Sequence, residues 1–170
     1  TYARILEEAV AELRGQPIHA EHDPEISVDV PAFLPDDYIP DTGQRLELYR
    51  RLAQAKSEDE VLAIEAELQD RYGQLPDEAI LLREVMIDKT LVRRIGAKAY
   101  ELGPARMMLS LGADTRLDPA KVMRLVQSKN SRYKLSPDMR LGYAFTETEQ
   151  KDRLAAARTR LTEILACTAA

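Results

Sequence analysis

Lys98-Ala99-Tyr100-Glu101-Leu102-Gly103-Pro104-Ala105-Arg106-Met107-Met108-Leu109-Ser110-Leu111 is the stretch that decides the fold class of this chain. Two short runs flank a Gly-Pro pair, the pattern of a β-hairpin. Upstream of Gly96 the apolar residues recur mostly at helical spacing; here the period changes. Downstream, Tyr133 to Leu135 and Met139 to Phe145 predict a second pair of strands around Ser136-Pro137-Asp138. Between the pairs, Asp118-Pro119 opens a short helix holding Val122, Met123, Leu125 and Val126. Thr146 with Glu149 forms a capping box from which a last helix continues to about Cys167. Helices combined with a small sheet of short strands and hairpins predict an α+β fold. We expect a single domain over residues 1–170, helical over 1–96 and mixed over 97–170.

The upstream part begins with a predicted helix from Thr1 to Leu13, ended by Gly15-Gln16-Pro17. Glu25 to Val30 alternates, with Ile26, Val28 and Val30 on one face, which is a strand signal. Pro31, Pro35 and Pro40 then impose an extended connection anchored by Phe33, Leu34, Tyr38 and Ile39. Arg45 to Ala55 predicts a helix burying Leu48, Tyr49 and Leu52. Ser57 and Glu60 read as a capping box for the next helix, with Val61, Ile64 and Leu68 inward and Gly73 in a left-handed terminal position. Pro76 fits the first turn of a further helix that buries Leu82, Val85, Met86 and Val92 and stops near Gly96.

A chain of 170 residues that is 45% apolar and 31% charged has enough material for a core and is not of disordered composition. It has no apolar run long enough to span a bilayer and no signal-peptide pattern, so a cytoplasmic setting is expected. Cys167 has no second cysteine to pair with and is read as a small buried or chain-end residue. The absence of an initial methionine, with Thr1 already inside a helical pattern, reads as a fragment of a longer protein. The net charge of −5 hides an asymmetry. Residues 1–80 carry 7 basic and 19 acidic side chains, whereas residues 81–170 carry 17 and 10. Either the halves neutralise each other within the fold, or each faces a partner of opposite sign.

Little in the chain points to chemistry. The seven glycines stand at least seven residues apart, which excludes the clustered glycines of a P-loop or dinucleotide fingerprint. His19 and His22 lie beside Glu21 and Asp23 with no cysteine near, and are read as structural rather than as zinc ligands. No serine sits in a nucleophile-elbow pattern. We therefore expect no catalytic, cofactor or metal site. Arg116, Lys121, Arg124, Lys129, Arg132, Lys134 and Arg140 face only Asp118 and Asp138 within residues 116–140. That stretch could contact nucleic-acid phosphates, although Tyr133 is its one aromatic; a solvated or protein-facing surface is the preferred reading. In Glu67-Leu68-Gln69-Asp70-Arg71-Tyr72-Gly73-Gln74-Leu75-Pro76, two acids three residues apart share the face of a helix end. On the residues alone, Glu67 pairs with Arg71 one turn on and Asp70 is solvated.

Taken in order, Leu6-Glu7-Glu8-Ala9-Val10, Leu34-Pro35-Asp36-Asp37-Tyr38-Ile39-Pro40-Asp41, Arg45-Leu46-Glu47-Leu48-Tyr49-Arg50-Arg51-Leu52 and the 67–76 stretch resemble one family. It is the C-terminal domain of the bacterial transcription-repair coupling factors. The resemblance covers essentially the whole chain, most specifically residues 34–76. It implies a regulatory, non-enzymatic domain of an ATP-dependent DNA translocase that displaces stalled RNA polymerase and recruits excision repair. ATP and magnesium would serve the motor elsewhere, and double-stranded DNA, RNA polymerase and UvrA would be reached through other modules. The domain itself would dock on the UvrB-like module of the same chain, masking UvrA binding and restraining the motor. The docking acids would be Glu67 and Asp70, with Tyr72 standing where phenylalanine is common. Tyr49, Leu75 and Pro76 would be architectural, and Arg45 and Arg71 would orient the acidic surface. The resemblance favours docking over the solvated reading of that pair.

Overall fold

The computed structural model describes residues 23–169. The expected helix at 1–13 and the histidines at 19 and 22 lie outside these residues. The fold is α+β: a five-stranded sheet and six helices among the described residues. Residues 28–90 form one compact unit, and residues 23–27 with 91–169 form another.

In the first unit, the chain leaves β1 (Glu25–Val28) and crosses the proline-punctuated connection with Leu34 and Ile39 buried. The strand is two residues shorter than its alternation predicts. Helix α1 (Thr42–Gln54) starts earlier than expected because the Asp41 side chain accepts the Gln44 N–H at 2.9 Å and caps it. It buries Leu48, Tyr49 and Leu52. Ser57 caps α2 (Glu58–Tyr72) by accepting the Glu60 N–H, and the acids Glu58, Asp59 and Glu60 occupy its positive end. The expected capping box is displaced by one residue, since the Glu60 carboxylate accepts the Lys56 N–H instead of that of Ser57. Gly73 does terminate α2 at positive φ, but its ψ of −168° is extended, so it is not the left-handed helical cap expected. The Pro76 carbonyl accepts the Ile80 N–H, placing proline just before α3 (Asp77–Ile95) and not in its first turn. Leu82, Val85, Met86 and Val92 are buried as expected. So are Asp88 and Lys89, at 1% exposure, and both have polar or charged partners.

The second unit is built on the sheet, in the order β1-β2-β3-β5-β4. Strands β2 (Ala97–Leu102) and β3 (Arg106–Leu111) form the expected hairpin, its turn closed by Gly103 N–H to the Arg106 carbonyl. Strands β4 (Tyr133–Leu135) and β5 (Arg140–Ala144) form the second pair, and β5 is the strand that lies against β3. Residues directly opposite one another share a face. One face therefore carries the buried rows Tyr100, Leu109, Leu141 and Leu102, Met107, Tyr143, Tyr133. Helix α4 (Pro119–Gln127) is capped by Asp118, as expected.

The final helix is broken. After the full Thr146–Glu149 capping box, α5 covers only Glu147–Gln150, and α6 (Arg153–Leu165) restarts at Asp152, whose side chain caps Ala155 N–H. Helix α6 packs on the core face of the sheet with Ala157, Leu161 and Ile164 buried. Its Arg160 lies 4.3 Å over the Tyr143 ring and bridges Glu149 and Glu163, while Tyr143 donates to Glu149 and Tyr133 to Glu163. Burial pushes the Glu149 carboxyl up, but the Thr146 amide, Arg160 and Tyr143 together hold it below its ordinary range. Burial and Glu163 raise the Tyr133 phenol strongly.

Candidate functional site

The last turn of α2 is held from beneath by hydroxyl groups. Tyr38, in the proline-rich connection, donates to the Gly73 carbonyl at 2.8 Å and lies 3.3 Å from that of Leu68. The Gly73 carbonyl, at the cap, has no intrahelical partner, and that of Leu68 lies one turn inside the helix. The Tyr72 hydroxyl donates to the Gln44 side chain of α1, and the Tyr38 and Tyr72 rings meet at 5.8 Å. Burial, Glu65 and Tyr72 all push the Tyr38 phenol up, which keeps it a neutral donor. Tyr49 is architectural as expected: its hydroxyl accepts the buried Leu34 N–H at 2.7 Å. Leu75 is buried.

On this support the three predicted site residues take different positions. Glu67 makes an ion pair with Arg51 of α1, not with Arg71 one turn on. Both side chains are more than a third exposed, so the pair contributes at most about 1 kcal/mol. Asp70 is exposed and has no ion pair or hydrogen bond from its side chain among the described residues. Arg71 extends over the Tyr72 ring, 5.1 Å from its centre. The expectation that Arg45 and Arg71 orient the acids by hydrogen bonds is corrected. Arg45 donates to the Ile39 carbonyl at 2.7 Å and fixes the connection instead.

Asp70 is therefore a carboxylate in the last turn of a helix, where the carbonyl ends already concentrate negative charge. The helix end disfavours it by a few tenths of a kcal/mol, and the basic residue of that turn, Arg71, lies over the Tyr72 ring instead of pairing with it. Such a group, on a rigidly held turn, is ready to accept a guanidinium from outside.

Arg51, Tyr38 and Gln44 were not singled out for this site by the sequence. Counting outward from Lys56 in the α1–α2 loop sets Arg51 opposite Val61, nearly two turns short of Glu67. The pairing comes from how the helices cross, which no local pattern encodes.

The basic stretch 116–140 divides among several elements. Lys121 and Arg124 lie on α4 and line a hollow of about 430 Å³ with Leu125, Ser128, Ala166 and Cys167. Arg132 donates to the Ala144 and Phe145 carbonyls, and Arg140 pairs with Glu101 at 3.6 Å. Cys167 is buried, and burial raises its thiol. Among the described residues, no group of three or more His, Cys, Asp or Glu is placed to hold a metal ion, and no helix is long and apolar enough to cross a membrane.

The family model for the TRCF domain matches residues 28–122. The chain is 46% identical over 140 residues to the transcription-repair-coupling factor of Myxococcus xanthus, a match covering 82% of this chain and 12% of that protein. It is 31% identical over 158 residues to that of Escherichia coli K12, covering 90% and 14%. Over 95 residues it is 37% identical to that of Helicobacter pylori 26695, covering 56% and 10%. The chain thus spans only about an eighth of the length of these relatives. A crystal structure of the C-terminal domain of transcription-repair coupling factor shares its fold, with a TM-score of 0.65 at 21% identity over 88% of this chain and 98% of that one.

Proposed function

The chain belongs to the TRCF domain family of transcription-repair coupling factors, and from that premise we propose that it is a regulatory docking module with no chemistry of its own. Its partner in this reading is the UvrB-like module of the full-length protein, and the contact surface is the last turn of α2. Docking there masks the surface that UvrA would bind and restrains an ATP- and magnesium-dependent motor acting on double-stranded DNA and RNA polymerase. The single observation that carries the reading is Asp70: exposed, without an ion-pair partner among the described residues, and placed where its own helix disfavours it.

A guanidinium from the partner forms directional, charge-assisted hydrogen bonds with such a carboxylate. Glu67 joins by exchanging Arg51 for an arginine of the partner, which makes its contribution smaller than that of Asp70. Contacts of this kind contribute on the order of 1 kcal/mol each at a water-exposed rim and weaken with salt. A lock made of them holds at rest and releases when the motor rearranges.

The test is a titration of the chain against the UvrB-like module, with Glu67→Ala and Asp70→Ala singly and together. The expected result is weakened binding, Asp70→Ala having the larger single effect, and restored UvrA access in the full-length double variant. Unchanged affinity in the double variant would remove both residues from the mechanism.

A further inference from the structure

One face of the sheet packs on α6; the other is open among the described residues. Opposite the buried rows, the outward residues are Arg106 and Ala144, then Glu101, Met108, Gly142 and Lys134, then Ala99, Ser110 and Arg140. Lys98 emerges beside them at the β2 bulge, its side chain running along Gly112. Arg132 flanks the far end, where its carbonyl accepts the Ala144 N–H. The centre of this face is lined by small residues, and Met108 lies flat over Gly142, so nothing tall projects from it. Its charge is lopsided. Lys98, Arg106, Arg132, Lys134 and Arg140 stand against Glu101, the turn residue Asp138 and, on the edge strand β1, Glu25, which alternates with the buried Ile26 and Val28. Glu101 is already occupied by Arg140, which leaves Arg106 and Lys134 exposed with no carboxylate partner among the described residues.

We infer that this open sheet face is a second interaction surface, and that its occupant is the phosphate backbone of duplex DNA. Three features favour that occupant. First, the face lacks the large apolar or aromatic anchor that carries binding energy in a protein–protein interface, whereas phosphates need only distributed cations. Second, Tyr100, Tyr133 and Tyr143 all belong to the opposite, buried rows, so no ring is available to stack the bases of a single strand. Third, rows two residues apart are separated by about 7 Å, roughly the axial rise of two nucleotides on one strand, so successive rows can meet alternate phosphates. The binding is independent of sequence, since flat contacts to phosphate carry no base readout. This surface differs from the contiguous stretch 116–140. It excludes Lys121 and Arg124, which lie on α4, and adds Lys98 and Arg106, which no window of that stretch contains.

The test is fluorescence anisotropy of a labelled duplex of about 20 base pairs with the 170-residue chain across a series of salt concentrations. Binding at low salt is expected, and Arg106→Glu with Lys134→Glu should weaken it at least about tenfold. Arg106→Gln with Lys134→Gln should reduce the slope of log K against log salt by about 2. This milder pair carries the test if the charge reversal disturbs folding, as read by circular dichroism. Lys121→Glu with Arg124→Glu should change affinity less than about twofold, since those side chains lie on α4. No binding at low salt would overturn the inference, as would loss of binding only in the α4 variant. Tighter binding of a single strand or of an oligoglutamate peptide than of the duplex would assign the face to a different partner and overturn it equally.

Discussion

The ends of α2 and α3 are alike in sequence and unlike in surroundings. Each stops at a glycine with positive φ, 87° at Gly73 and 79° at Gly96. A Cβ at position 73 would meet nothing within 4 Å, whereas one at position 96 would lie 2.4 Å from the Asp114 carbonyl oxygen. The loop that follows β3 closes over Gly96, and the Arg116 N–H donates to the Ile95 carbonyl at 2.9 Å. The end of α2 is secured from below by Tyr38 and left open above. One helix end is used to build the fold, and the other is the end for which we propose docking. The same division runs through the charges: residues 28–90 carry 7 basic and 15 acidic side chains, and residues 91–169 carry 15 and 8.

Substitution of the two glycines should separate the two helix ends most sharply. Gly96→Ala forces a backbone shift as well as an unfavourable φ and should cost about 3 kcal/mol or more in chemical denaturation. Gly73→Ala should cost less, roughly 1–3 kcal/mol from conformation alone, since φ 87° with ψ −168° is a region that glycine almost alone adopts. Equal losses would mean that the openness of the α2 end is not real.

The next largest effect belongs to the cluster under the sheet. Glu149→Gln removes the charged partner of Arg160 and Tyr143 and should cost roughly 1.5–3 kcal/mol. The folded-state pKa of Glu149 lies below its ordinary value of 4.5, so the carboxylate contributes fully above that value. Its contribution declines as the pH falls from there through the depressed folded-state pKa. Denaturation midpoints measured across that acid range should fall in the parent chain and flatten in Glu149→Gln. A variant with unchanged acid sensitivity would show that the cluster is not what ties α6 to the sheet.

At the α2 end, Glu67→Ala with Asp70→Ala should alter folding stability by no more than about 0.5 kcal/mol, because the one pair removed is exposed. A larger loss would make the acids structural and blur the contrast with the sheet cluster. The smallest effect has the opposite sign. Arg51→Ala frees Glu67 and should tighten docking to the UvrB-like module by at most about fivefold. Weaker docking in that variant would mean that Arg51 itself contacts the partner.

Much of the fold was legible because its signals act over a few residues. Asp118 and Thr146 cap where they stand, Gly103-Pro104 turns the first hairpin, and the apolar residues read from the spacing of α3 are buried. The failures share a cause. Glu60 reaches Lys56 rather than Ser57, and Asp152 restarts a helix that its periodicity continues, because two local hydrogen bonds of similar strength compete and packing selects one. Nothing in the sequence singles out Asp88 and Lys89, and both are buried, which the apolar spacing of α3 does not mark. At the candidate site, the acids were visible in the sequence and their environment was not.

The sequence by itself determined the α+β class, most of the elements, the family and the two acids at the end of α2. All of these depend on helix and strand periods, caps and motifs that lie within one or two turns of chain. Only the tertiary structure decided that Glu67 is held by Arg51 while Asp70 has no ion-pair partner among the described residues. It also placed β5 against β3, gathering cations from positions 98 to 140 onto one open face. Helix crossing and strand order fix such neighbours by burying apolar surface from the whole chain, and that sum is not written in any single window of it.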